Sequence, residues 1–192
     1  DPSLPKWNAF QQEVDDVNAR ENDFAVLRGE EVSCTNSDKN NVHFLIFGNR
    51  TFFHGSGDGG EKWFKTRSEY TIQEILSLKE KNVITYASHP TEEVPLLQNL
   101  LLKRDEWTVS DMEEKGISGI QILNGDRSDG FFRGLDVWKW MLKRGQKKFL
   151  LAGNDAHGNF NRFVQISIPM LSFRENELQI FGKMKTAVLI HS

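Results

Sequence analysis

Apolar residues fall into short runs separated by longer stretches with helical spacing, and that alternation predicts the elements. Residues 24–27 and 32–34 read as one extended segment interrupted by polar positions 28–31, and residues 42–47 as a second strand closed by Gly48. Between 68 and 81, Ile72, Ile75 and Leu76 recur at helical spacing, with Leu78 off the centre of the stripe. Lys79 and Lys81 sit where they complement the C-terminal dipole of that helix. A short buried strand at 83–87, a helix at 96–102 and a strand at 119–123 ended by Asn124-Gly125 follow. Residues 135–144 form an amphipathic helix stopped by Gly145, and 149–152 the last clear central strand before Gly153. The closing apolar stretch, 186–192, reads as a further strand. Strands alternating with helices predict an α/β fold with a largely parallel sheet. Gly55, Gly57, Gly59 and Gly60 make the loop at 50–62 too permissive for any regular element.

Composition narrows the function classes. Across 192 residues, 38% apolar side chains, 11% aromatics and a net charge of -3 exclude disorder, because collapse is neither starved of apolar surface nor opposed by charge. No apolar run approaches the roughly 20 residues that a bilayer span requires. Cys34 is alone, so it forms neither an internal disulfide nor a cysteine-built zinc site, and it reads as a small buried residue. Lys and Arg are scattered rather than striped, which argues against a nucleic-acid backbone binder. The glycine loop formally contains G-x-G-x-x-G. It lacks the helix opening of a dinucleotide site and the Lys-Ser/Thr of a P-loop, so it reads as a connection, or as a lid bearing His54, Asp58 and Trp63. Trp138 and Trp140 cannot share one helix face, and Trp138 belongs with Leu135 and Leu142 in packing.

The chemistry is carried by ionisable residues near strand ends: Glu31, His89, and Asp155 with His157. In parallel α/β architectures the carboxyl ends of strands form one rim, where side chains distant in sequence meet. With His43 added, the set Glu31, His43, His89, Asp155 and His157 offers imidazole and carboxylate donors suited to a divalent zinc, manganese or iron ion. Two carboxylates brought together away from water repel, and a cation removes that cost. Each residue also fits a structural role. His43 lies inside a strand, where a hydrogen-bonded histidine suffices; His89 precedes Pro90 and can start a turn; Glu31 can be solvated beside Glu30; Asp155 can cap a turn. Asn124, after the strand at 119–123, and Arg162, past the last ligand pair, are candidates for orienting a phosphate or other anionic substrate.

Four strings in this order carry a family resemblance: Gly-Glu-Glu-Val-Ser at 29–33, Asn-Val-His at 41–43, Ser-His-Pro at 88–90 and Gly-Asn-Asp-Ala-His-Gly at 153–158. Together with Asn-Phe-Asn-Arg at 159–162, they resemble the later motifs of the PHP (polymerase and histidinol phosphatase) superfamily. The resemblance implies a distorted seven-stranded (β/α) barrel with a site for two or three metals. By it, Glu31 would bridge two cations, His43 and His89 would complete one site, Asp155 would serve the other, and His157 would belong to a third. That superfamily opens with His-x-His and soon adds Asp-His, and this chain carries neither. It opens at Asp1 without an initiator methionine and stops just after an apolar run, so it reads as a single truncated PHP-like domain, 1–192, missing the first strands. Two expectations follow. The parent is a metal-dependent hydrolase of a phosphate ester or related small-molecule ester, using a metal-activated water, with this chain catalytically crippled. The alternative is a non-catalytic PHP-like binding module holding at most one structural metal.

Overall fold

The computed structural model describes residues 3–55, 67–156, 164–168, 171–174, 182 and 184–188. Alternation builds the first two strands, β1 (Gly29–Thr35) and β2 (Asn41–Phe47). Val32 and Cys34 on β1, with Val42, Phe44 and Ile46 on β2, are buried. Side chains two apart share a face, so Glu31 and Ser33, with His43 and Leu45, share the opposite one. Their register confirms it: Ser33 pairs with His43 and Glu31 with Leu45 in an antiparallel hairpin. The polar stretch read as an interruption is therefore strand from Gly29 onward. Residues 24–27 form no regular element, and Phe24 and Leu27 stay exposed.

The hairpin joins β3 (Tyr70–Thr71), β4 (Ile84–Ala87), β5 (Gly119–Asn124) and β6 (Phe149–Gly153) in a six-stranded sheet of order β3-β1-β2-β4-β5-β6. Pairs β1–β3, β4–β5 and β5–β6 are parallel, whereas β1–β2 and β2–β4 are antiparallel. The sheet is thus mixed rather than largely parallel. The turn at 36–40 is too short for a parallel crossover, which takes a dozen or more residues, so β2 runs back along β1.

Helices cover the apolar face. α2 (Ile72–Leu78) contributes Ile72 and Ile75, α4 (Val109–Glu113) Met112, and α5 (Asp129–Lys143) Met141, all packed with Val32, Phe44, Ile46, Ile120 and Ile122. A capping box between Thr71 and Glu74 starts α2 at Ile72, later than the pattern suggested, and leaves Lys79 as its C-cap. Ser128 caps α5 and starts it before Leu135. Trp138 packs on this core and donates its indole N–H to the Lys148 carbonyl at 2.8 Å; Trp140 lies outside, under the Arg144 guanidinium. Cys34 is a free, buried thiol. α3 (Leu96–Leu102) has the bounds its leucine run predicts.

Five elements had no counterpart in the pattern: α1 (Pro5–Arg20), β3, α4, and the separate antiparallel pair β7 (Val164–Ile168) and β8 (Leu171–Arg174). Val14 is the buried residue of α1, and polar links fasten the helix: Asp15 pairs with Arg28 and Arg50, and the Trp7 indole donates to the Arg50 carbonyl. Residues 186–188 are not strand, although the Thr186 hydroxyl accepts from the Ala152 N–H at 2.9 Å. Among the described residues no helix is long and apolar enough to cross a membrane. The glycine loop beyond Gly55, with Asp58 and Trp63, lies outside the described residues.

Candidate metal centre

The centre forms on the sheet face opposite the one packed by α2, α4 and α5. Glu31 and His43 reach it by alternation, as diagonal neighbours across the β1–β2 hairpin. Ser88 follows: its N–H donates to the His43 carbonyl at 3.1 Å, extending the β2–β4 pairing by one residue. Continued alternation would turn His89 toward the core. Its φ of 30° breaks that alternation, and the ring ends beside Glu31 instead. A non-glycine residue with positive φ, placed directly before proline, is held there only by its surroundings.

One carboxylate oxygen collects the donors. Glu31 Oε1 lies 3.2 Å from His43 Nδ1 and 3.4 Å from His89 Nε2, and the Ser88 hydroxyl donates to it at 2.8 Å. The two imidazoles meet edge to face, with centroids 5.3 Å apart. Partial burial of Glu31 pushes its carboxyl up, but the hydrogen bonds and charges of His43 and His89 outweigh that and hold it well below the usual range. The carboxylate is therefore ionised. The Ser88 hydroxyl also lies 3.0 Å from Gln121 Oε1 on β5, and its single proton favours the charged partner.

The arrangement fits a cation. Donor atoms of Glu31, His43 and His89 all lie within 4.8 Å of one another. Ligand bonds of 2.0–2.1 Å in a tetrahedron put donors about 3.3 Å apart, and the two distances to Glu31 Oε1 bracket that value. Two imidazoles and a carboxylate are also a donor set that zinc, manganese and iron accept.

Of the remaining residues singled out in the sequence, Asp155 follows β6 with a left-handed φ of 47° and does not belong to this donor group. Asn124 ends β5, and its buried Oδ1 has no hydrogen-bond partner among the described residues. His157 and Arg162 lie outside the described residues. Two neighbours escaped the sequence reading as parts of the site: Ser88, and Arg104, whose Nη2 lies 3.0 Å from His43 Nε2. Ser88 was legible as the residue before a proposed ligand. Arg104, inside the charged run Lys103-Arg104-Asp105-Glu106, carried no such signal. Compared with protein-family models, curated proteins and solved structures, the chain matches none of them.

Proposed function

We propose that this chain carries the metal centre of a PHP-type hydrolase that cleaves a phosphate ester or related ester by means of a metal-activated water. The observation that carries the reading is the convergence of Glu31 and His43 from two strands and His89 from the bend after a third onto one point. Three protein donors are the count of catalytic zinc sites, which keep a position open, whereas structural zinc sites take four. A divalent cation held there lowers the pKa of its water to about 7 and polarises the bound oxygen of the ester. Glu31 supplies the negative charge, the two imidazoles complete the donor set, and Ser88 fixes the carboxylate's orientation from the second layer. The finer fold reading, a segment of a (β/α) barrel wall, draws support from the same division of faces. α2, α4 and α5 pack on one side of the sheet and the candidate ligands lie on the other, as in a barrel with its helices outside.

A second reading is favoured by Asp155, which stands apart from the donor group. With one three-donor site among the described residues, the chain would be a PHP-like binding module with a single structural metal. One experiment separates the two. The chain is loaded with zinc, manganese or iron and assayed against phosphomonoesters, phosphodiesters and carboxylic esters, before and after chelation. Hydrolysis lost on chelation and restored by the cation, even at the low rate expected of a chain without His-x-His and Asp-His, supports the hydrolase, and a bound cation with no detectable turnover supports the module. Hydrolysis that survives exhaustive chelation overturns the metal mechanism.

A further inference from the structure

A second concave site lies between α1 and the stretch after β2 that holds Arg50 and Phe52, on residues apart from the metal donors. It is a cleft of about 410 Å³, within the range of small-molecule pockets. Helical spacing puts Leu4, Trp7 and Gln11 on one side of it, and Phe52 and His54 line the other. Its walls are aromatic. The Trp7 and Phe52 ring centroids lie 5.2 Å apart with the planes at 49°, and the His54 ring meets Phe52 edge to face at 5.3 Å. Polar bonds fix this frame: the Trp7 indole N–H donates to the Arg50 carbonyl at 2.9 Å, and Glu80 Oε1 accepts the Arg50 and Thr51 N–H groups at 3.0 and 2.8 Å. One buried polar group is left over. Both amide atoms of Gln11 are buried, and neither has a hydrogen-bond partner among the described residues.

We propose that this cleft binds an uncharged purine base of the adenine type, carried by a nucleoside, with Gln11 pairing its edge and Trp7 and Phe52 walling its ring. The site stands independently of the metal-centre reading. An amide shut from water without a partner costs free energy, so a folded chain that holds one calls for a partner. A carboxamide sets an acceptor beside its donors, and the fitting partner is an edge that sets a donor beside an acceptor. Adenine carries that edge, its amino group next to a ring nitrogen, and Gln pairs with it through two hydrogen bonds. Gln11 is unbranched and its terminal torsion is soft, so the amide turns to meet an edge laid in the cleft. The aromatic walls suit a flat ring, whose π-face stacks on indole or phenyl. The occupant is uncharged because the guanidinium of the cleft is already engaged: Arg50 Nη1 and Nη2 each lie 3.0 Å from an oxygen of Asp15. A phosphate would have to break that two-pronged pair. A saccharide alone fits less well, because its hydroxyls need several polar partners and the buried unpaired group here is one amide.

The test titrates adenosine into the 192-residue chain by calorimetry, with a chelator present so that no cation at the metal centre contributes. The wild-type chain is expected to bind adenosine with a dissociation constant at or below about 1 mM. Purine riboside, which lacks the amino donor, is expected to bind about 10-fold more weakly, and methyl riboside not at all. Adenosine monophosphate is expected to bind no tighter than adenosine. Gln11→Leu replaces the unpaired amide by an apolar group of similar size. It is expected to bind adenosine about 10-fold more weakly, and no better than purine riboside, with a urea midpoint equal to or above that of the wild type. Phe52→Leu keeps the amide and removes one ring, and is expected to weaken adenosine about 5-fold. No adenosine binding at or below that constant, methyl riboside binding as well as adenosine, or tighter binding of the monophosphate overturns the proposal. So does adenosine binding undiminished in either variant, or a lower urea midpoint in Gln11→Leu, which would give the amide a structural role.

Discussion

At the residue scale, the centre depends on one backbone departure. His89 joins Glu31 only because its φ of 30° carries the ring across from the core side of the sheet. Residues around the cation are expected to separate by layer. Ser88→Ala, which removes a hydrogen bond to Glu31, should weaken zinc binding about 10-fold, as outer-layer changes do, while His43→Ala and His89→Ala should each weaken it at least about 100-fold; titration calorimetry distinguishes the two classes. Close packing within the sheet gives a second expectation. A Cβ on Gly119 would lie 2.1 Å from the Phe149 carbonyl oxygen and 2.5 Å from Tyr86 Cε1. Backbone on a paired strand cannot yield, so Gly119→Ala should lose about 3 kcal/mol in urea denaturation. Gly145→Ala, at a φ of 79° with open space around it, should lose only about 1 kcal/mol. The three candidate donors were legible because two flank apolar strand cores and one lies inside a strand. The position of Arg104 beside His43 was not, because it arises from the way its segment docks on Asn41, which no local pattern encodes.

Elements with a strong apolar period were legible, and those fastened by polar or tertiary contacts were not. β2, β4, β5 and β6 each carry a short apolar run, and α3 and α5 apolar positions at helical spacing. α1 buries little beyond Val14 and depends on its Asp15 and Trp7, whose partners Arg28 and Arg50 lie in segments outside the helix. The start of α2 was recoverable from a signal that the apolar spacing obscured, the Thr71-Ile72-Gln73-Glu74 capping box. Thr71→Ala removes the hydroxyl that accepts the Glu74 N–H and donates to the Glu74 carboxylate. It should destabilise the chain by about 1 kcal/mol, read as a lower denaturation midpoint with an unchanged slope. The direction of β2 was missed for a different reason. Strand–helix alternation suggests parallel neighbours, and only the five-residue turn at 36–40 forces a hairpin.

For the whole molecule, charge on the two sides of β1 gives opposite responses to pH. Glu30 accepts the Phe53 N–H, and burial, partly offset by that bond, raises its carboxyl to about 7 from the ordinary 4.5. A folded-state pKa above the unfolded one stabilises fully below about pH 4.5, and that contribution is lost as pH rises through about 7. Glu30 is partly exposed, so the loss is about 1–2 kcal/mol after allowing for solvent screening. Denaturation midpoints should fall between about pH 5 and pH 8, and Glu30→Gln should flatten that slope. Glu31 acts in the other sense, because its lowered carboxyl stabilises above the ordinary range and loses that contribution as pH falls. The division of faces that separates these two carboxylates also gives the sheet one side for its core and one for the proposed cation. The most direct test of that assignment is elemental analysis of the purified, zinc-equilibrated chain beside a His43→Ala/His89→Ala variant. About one zinc per chain in the wild type, set by the three-donor group, and none in the variant is the expected result. No zinc in the wild type, or equal zinc in both, contradicts it.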